Sequence, residues 1–303
     1  PWGISLAAAA ARTGGETYLF SRRAVGAALP PGVRQARDLA ELGARARLLV
    51  FAVPSSVARR VGAELAPHVD GRHYIVHGVR GLVGDELTTV SDVLRSETPA
   101  RRVGALGGPA LAADLEANRP TVMVGGSYYP EVNEALTAAF ASETLRLYTT
   151  KDLRGLEWAS ALVGCLAIGL GFAQALELGP GILAAMTTQA VQEASHIVEV
   201  AGGDPRTMMG LGGYGDLLAC TAQKERPEVL LGAALARRKK LEEAMGEAKL
   251  RVEAVDLVPR IAAWARGKGV HAPLLAAWAE AMFSPEPPVL VERLMMAPAH
   301  LSA

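Results

Sequence analysis

The spacing of apolar residues changes about halfway along the chain. Before residue 150 they fall in short runs divided by mixed, helix-like stretches. Ile4 to Arg12 predicts a helix stopped at Gly14-Gly15, because glycine takes the backbone conformation that ends helices. Glu16 to Phe20 predicts a strand and Ala36 to Leu42 a short helix. Arg47 to Val53 is apolar at nearly every position, which suits a strand covered on both faces. Pro54 stops it, and Ser56 to Leu65 predicts the next helix. Further strands are predicted at Tyr74 to Val76, Arg102 to Leu106, Pro120 to Gly125 and Leu145 to Tyr148, with a helix at Glu131 to Phe140. Strands alternating with helices predict a mainly parallel, doubly wound sheet.

After Thr150 the strand signal stops. Leu153 to Leu176, Gly181 to Ala201, Pro205 to Met209, Leu217 to Cys220, Val229 to Met245, Val255 to Lys268, Pro273 to Met282 and Pro288 to Met295 all predict helices. The expected fold is therefore α/β, Rossmann-like and doubly wound over residues 1–150, with an all-α domain over 151–303. Pro1-Trp2-Gly3 runs straight into an Ala-rich helix. The first strand of the doubly wound domain is accordingly expected to lie outside this sequence. Ala159 to Leu176 is apolar but holds Ser160, Gly164, Gly169, Gly171 and Gln174. It is also slightly short for a membrane span, which needs about 20 residues. The expectation is a buried core helix and no membrane span.

Charge narrows the partners. The chain has 31 basic and 31 acidic residues, so nothing in its charge balance attracts nucleic acid or an anionic membrane. Cys165 and Cys220 are far apart and in no metal-ligand spacing, so no metal is expected. Two unpaired thiols, with no charged segment leading an apolar stretch at the start, fit a reduced cytoplasmic setting rather than secretion.

Open parallel sheets bind ligands at the carboxyl ends of their strands. Trp2 and Gly3 open the first helix, where backbone N–H groups favour a pyrophosphate. Arg22 and Arg23 follow the strand ending at Phe20; guanidinium there suits a 2′-phosphate, and a solvated basic turn is the other reading. Val53 and Pro54 end a core strand, either lining the cofactor cleft or simply terminating the strand. The expected cofactor is NADP(H) or NAD(H), unless binding has been lost.

The most specific segment is Gly210-Leu211-Gly212-Gly213-Tyr214-Gly215-Asp216-Leu217. Supporting segments are Asp152-Leu153-Arg154-Gly155-Leu156-Glu157, Gly107-Gly108-Pro109-Ala110-Leu111-Ala112, Ala52-Val53-Pro54-Ser55, Val252-Glu253-Ala254 and Val291-Glu292-Arg293-Leu294-Met295. In this order they resemble segments of bacterial NAD(P)-dependent glycerol-3-phosphate dehydrogenases, across nearly the whole chain. The resemblance implies a helical domain of the kind found at the C-terminus of 6-phosphogluconate dehydrogenase, and a homodimer. It implies hydride transfer between nicotinamide and C2 of glycerol phosphate or dihydroxyacetone phosphate. It also puts Glu253 with the cofactor, and Gly108, Ala110, Gln189, Asp216, Pro227 and Glu228 around the substrate.

The family's acid/base lysine, in Ala-Leu-Lys-Asn, corresponds to Val163 in Ala161-Leu162-Val163-Gly164. Valine has no transferable proton, so a contribution of about 10²–10⁴-fold is absent. A second family lysine corresponds to His77, which either handles protons or is an ordinary strand-end histidine. The family's Thr-Arg-Gly becomes Thr188-Gln189-Ala190. Counted on from Asp216, its Ser-Arg-Asn becomes Arg226-Pro227-Glu228. Two guanidiniums that would clamp phosphate are thus missing. Asp216 is either an acceptor for a substrate hydroxyl or, slightly favoured, a helix N-cap. Lys224 or Arg226 either reaches the pocket from the loop after Cys220 or, the favoured reading, is a solvated loop residue.

Three functions remain open. The favoured one is a degenerate homologue, a pseudoenzyme with a binding or scaffold role and a protein partner. The second is an oxidoreductase on an altered small molecule, using His77 and Asp216. The third is a true glycerol-3-phosphate dehydrogenase with a displaced lysine.

Overall fold

A strand flanked by helices on both sides must bury every side chain it carries, and this requirement organises the first half of the chain. A computed structural model describes residues 2–22, 29–248 and 252–283. The chain divides into two compact units, Pro1–Glu157 and Trp158–Ala303. The first runs α1 (Trp2–Ala11), β1 (Thr17–Leu19), β2 (Val33–Gln35), α2 (Leu39–Arg45), β3 (Leu48–Phe51), α3 (Ala58–Leu65), β4 (Tyr74–His77), α4 (Val90–Glu97), β5 (Arg102–Gly107), α5 (Ala112–Glu116), β6 (Thr121–Gly126), α6 (Pro130–Phe140) and β7 (Leu145–Thr150). Alternate residues of one strand enter different cores. Tyr74 and Val76 pack with Leu6, Leu106 and Met123, while Ile75 packs with Leu49, Phe51 and Val103. That is the Rossmann-like, helix-on-both-faces arrangement expected of the apolar runs.

Two details differ from expectation. The strands form a five-stranded sheet in the order β3-β4-β5-β6-β7 and a separate parallel pair, β1-β2. The β5–β6 junction is antiparallel, the other pairings of the larger sheet parallel. The elements β2, α4 and α5 have no counterpart among the predicted ones. In β2 only Val33 is buried, so it carries no apolar run.

The second half is helical: α7 (Leu153–Ala175), α8 (Pro180–Val200), α9 (Pro205–Met209), one π turn (Leu211–Gly215), α10 (Asp216–Ala222), α11 (Pro227–Ala236), α12 (Leu241–Glu247), α13 (Ala254–Gly267) and α14 (Pro273–Ala281). No described residue beyond Thr150 is in a strand. α7 is the one described helix long and apolar enough to cross a membrane by length and composition, and the apolar window of it is wholly buried. Its glycines act by closeness. A Cβ at Gly169 would lie 2.1 Å from the Trp278 ring, and one at Gly171 2.7 Å from the Val229 carbonyl oxygen.

The single helix expected over Val229 to Met245 is two, α11 and α12, with Arg238 between them at φ 60°. Arg237, Arg238, Lys239 and Lys240 are four consecutive cations, of which Arg237 and Lys240 would be like-charged neighbours on an unbroken helix. The break lets Arg237 and Lys239 both reach Glu247. The helix expected at Pro288 to Met295 lies outside the described residues.

Candidate functional site

At the carboxyl ends of β3 and β4 several expected residues come together. The indole of Trp2 donates to the carbonyl of Gly78, 2.9 Å away. Gly3 sits so close to the end of β3 that a Cβ there would lie 3.3 Å from the Cβ of Ala52. Val53 is half-buried and Pro54 exposed, just beyond. The first turn of α1, whose N–H groups favour anions, is thereby held at the strand ends. Arg22 is exposed just past β1, and Arg23 lies outside the described residues.

His77, the last residue of β4, is 1 % exposed. Its Nε2 is 2.9 Å from Glu157 Oε1, and its Nδ1 accepts the Val79 N–H at 3.3 Å. An imidazole whose Nδ1 accepts carries its proton on Nε2, facing Glu157. Both ring nitrogens are therefore engaged inside the fold. Glu157 also accepts from the Ser91 N–H at 2.9 Å and the Ser91 hydroxyl at 2.6 Å. One carboxylate thus fastens the end of β4 and the first turn of α4 to α7. Glu157 closes the segment Asp152-Leu153-Arg154-Gly155-Leu156-Glu157, and nothing near it in sequence points to Ser91. A single acid on an apolar helix is a readable sign of a buried partner.

Gly108 follows β5 at φ 89°, where a Cβ would lie 3.1 Å from Val124. Ala110 is 5 % exposed and belongs to the core with Leu6 and Met123.

In the second unit, Val163 is fully buried, at 0 % exposure. Gly164 beside it faces Ala254, and a Cβ there would lie 3.5 Å from the Ala254 Cβ, an ordinary contact. Asp216 is also 0 % exposed, and Cys220 Sγ donates to its Oδ1 at 3.5 Å. The N-cap of α10 is Gly215, with no side-chain capping bond. The capping reading of Asp216 is thereby corrected: it is the first helical residue, and its carboxylate points into the unit. Gln189 is half-buried and donates to Glu193 at 3.4 Å. Glu253 stands at the entrance to α13.

Arg226 corrects a second expectation. Its side chain is only 13 % exposed, beside Glu228 at 17 %, and its Nε lies 3.6 Å from Glu228 Oε2. That Nε is buried and makes no hydrogen bond. A guanidinium is present after all, one residue before Pro227, but it faces a carboxylate. Burial, and after it the Glu228 carboxylate, push the Cys165 thiol up. Lys224 is exposed as expected, as are Lys151, Lys240 and Lys268, while Lys239 is engaged with Glu247. No described lysine is buried, and Lys249 lies outside the described residues.

Glu193 was not foreseen. Its carboxylate accepts the N–H groups of Leu274 and Leu275, at 3.0 and 3.1 Å, at the start of α14. Burial pushes its pKa up to about 7 against the pull of those two donors. The described residues contain no cluster of His, Cys, Asp and Glu suited to a metal.

Comparison with known proteins adds a lineage. The description "NAD-dependent glycerol-3-phosphate dehydrogenase N-terminus" matches residues 21–133, and its C-terminus counterpart residues 152–290. The glycerol-3-phosphate dehydrogenase [NAD(P)+] of Rhodopseudomonas palustris is 32 % identical over 291 residues, covering 91 % of this chain and 88 % of its own. That of Parvibaculum lavamentivorans is 32 % identical, covering 91 % and 87 %. Among solved structures, the Coxiella burnetii glycerol-3-phosphate dehydrogenase superposes with a TM-score of 0.88 at 23 % identity, covering 99 % of this chain and 96 % of that one.

Proposed function

The chain belongs to the NAD-dependent glycerol-3-phosphate dehydrogenase family, and from that premise we propose that it is a degenerate member, keeping the fold as a nucleotide-binding or scaffold protein without the family's turnover. Val163 carries this reading. Oxidising a C2 hydroxyl needs a base to take its proton as the hydride leaves, and a fully buried valine stands at the position matched to the family's lysine. His77 offers no substitute, because both its ring nitrogens are committed to Glu157 and Val79. Phosphate binding suffers separately. Gln189 and Pro227 replace two guanidiniums, and Glu228 meets Arg226 where a dianion would need it. A buried dianion without a paired cation is strongly disfavoured.

A nicotinamide nucleotide would donate or accept hydride. Trp2, Gly3, Val53 and Pro54 meet at the strand ends, and Arg22 stands exposed after β1, which fits a dinucleotide carrying a 2′-phosphate. NADP(H) is the proposed ligand, and a homodimer with a further protein partner the proposed assembly. The test is a pair of titrations with NADPH and NADH, joined to an assay with dihydroxyacetone phosphate. Preference for NADPH, lost in Arg22→Ala, with no measurable turnover, is the expected result. Turnover near the median enzyme's rate of roughly 10 s⁻¹ overturns it.

A further inference from the structure

Two arginines from different strands converge on one tyrosine in the first unit. The register sets Leu48 of β3 and Arg102 of β5 on either side of Tyr74, the first residue of β4. Arg47, just before β3, therefore stands at the amino ends of these strands, opposite the ends where the dinucleotide residues meet. Its guanidinium carbon lies 4.6 Å from the centre of the Tyr74 ring, and its Nη2 donates to the phenol oxygen at 2.7 Å. Its Nε donates to the Arg72 carbonyl at 3.2 Å. Arg102 lies over the same ring, 5.9 Å from its centre, with Nη1 donating to the Gly71 carbonyl at 3.1 Å. The antiparallel β5–β6 junction brings the end of β6 to this edge, and with it the start of α6. Glu131, in the first turn of α6, accepts from Arg102 Nε at 2.7 Å.

Two features separate this cluster from a solvated basic surface. The first is fixation. A long side chain loses rotamer freedom when it binds a ligand. Arg47 is held in advance by a carbonyl, a phenol and a ring face, all of them neutral. The second is charge. Glu131 pairs with Arg102, and Asp70 with Arg72. Among the described residues no carboxylate pairs with Arg47. The Glu131 carboxyl is held below its usual range, by Arg102 first and by Arg47 among the weaker causes. Arg47 and Arg102, with Glu131 between them in charge, leave one positive charge unmatched. Nη1 of Arg47 and Nη2 of Arg102 have no hydrogen-bond partner among the described residues. One further carboxylate balances that charge, and the planar guanidinium fork fits it. A phosphate dianion exceeds it. Tyr128 and Tyr129 lead directly into α6, and Tyr128 is 51 % exposed. Tyrosine and arginine are residues that protein interfaces favour. Small-molecule sites are concave, whereas Arg47 and Tyr128 both stand exposed, a surface suited to a chain.

We propose that this edge docks an acidic segment of a partner protein, with a carboxylate on Arg47 and Arg102 and an apolar side chain against Tyr128. The resident Glu131 shows the chemistry in place, since it already occupies one side of Arg102. None of these residues belongs to the nucleotide or substrate set. The inference therefore holds for an active and an inactive enzyme alike, and its failure would leave the reading of the catalytic site as it stands.

Fluorescence anisotropy of a labelled, end-blocked Glu-Leu-Glu-Leu peptide on the 303-residue chain tests it, with Gln-Leu-Gln-Leu as the neutral counterpart. Binding of the acidic peptide alone is expected. Arg47→Ala should weaken it about ten-fold, the size of one charge-assisted hydrogen bond. Glu131→Gln removes the resident carboxylate and should tighten binding several-fold, which keeps the test decisive if Arg47→Ala fails to fold. Arg119→Ala removes an exposed cation paired with Asp114 and should leave the affinity within about two-fold. Tyr128→Ala should weaken the peptide and leave succinate unaffected. No binding of the acidic peptide at about 1 mM overturns the proposal. Equal losses in Arg47→Ala and Arg119→Ala overturn it as well, because diffuse charge would then suffice. Unchanged affinity in Glu131→Gln also counts against it. Displacement of the peptide by inorganic phosphate or succinate at the peptide's own concentration assigns the edge to a small anion and overturns the docking of a chain.

Discussion

Two buried glutamates show how differently one side chain can be held. Glu157 accepts three hydrogen bonds from His77 and Ser91 in a site where both its neighbours are themselves buried. Glu157→Ala leaves those donors unsatisfied and should cost about 2–4 kcal/mol in urea unfolding. A loss below about 0.5 kcal/mol would show the network to be incidental. Glu193 accepts two N–H bonds yet has its pKa raised from 4.5 to about 7, because burial outweighs them. A carboxyl raised in the folded state favours folding while protonated. Its contribution is complete below about pH 4.5 and is lost as the pH rises through 7. From those values the wild type should lose about 3 kcal/mol of stability between pH 4.5 and 7.5, beyond any change in Glu193→Gln. Parallel pH profiles for the two proteins would contradict this. The sequence could show that an acid on an apolar helix needs a partner. It could not say which, because Ser91 lies 66 positions from Glu157 and pattern reading sees only near neighbours.

Elements were legible where their stability rests on local pattern. The run Arg47 to Val53 gave β3, and the apolar stretch after Asp152 gave α7, because burial on all sides leaves a continuous apolar sequence. β2 was not legible, since its position depends on pairing with β1 and only Val33 among its residues is buried. α4 carries a readable signal: Thr89 accepts the Asp92 N–H, and Val90, Val93 and Leu94 repeat on one face. The break between α11 and α12 falls at Arg238, whose φ of 60° no helical pattern announces. Close helix packing is the element-scale property most open to test. A Cβ on Gly232 of α11 would lie 2.1 Å from the carbonyl oxygen of Ile168 and 2.6 Å from the Phe172 nitrogen, both in the backbone of α7. No side-chain rotation relieves a backbone contact. Gly232→Ala should therefore lower stability by about 3 kcal/mol, while Gly246→Ala, with nothing near its Cβ position, should be neutral or slightly stabilising. Equal midpoints for the two variants would refute the packing argument.

Across the whole molecule, fold and activity are written in different residues. The fold follows from apolar spacing and glycines distributed along the chain, and such features survive many substitutions. A site depends on a few side chains whose inward or outward direction no spacing reveals. Arg226 is the clearest case: counting from Asp216 put Pro227 at the cation's place, yet the guanidinium one residue earlier turns inward and meets Glu228. Introducing the family's groups therefore asks more than changing letters. Val163→Lys, Gly164→Asn, Gln189→Arg, Pro227→Arg and Glu228→Asn together supply the base and the cations expected of the family. The first places an ammonium where exposure is 0 %, and an unpaired buried charge costs several kcal/mol. Gly164 has ordinary contact room for a Cβ against Ala254, but an asparagine must extend beyond it. The five-fold variant should accordingly fold with a lower melting temperature and show no recovered reduction of dihydroxyacetone phosphate. Glu228→Gln alone, which removes the carboxylate facing Arg226 without adding bulk, should be tolerated and should bind inorganic phosphate more tightly than wild type in an isothermal titration. Turnover in the five-fold variant above that of wild type, with its melting temperature kept, would mean that the space around Val163 admits substrate and that side chains alone set the difference from the family.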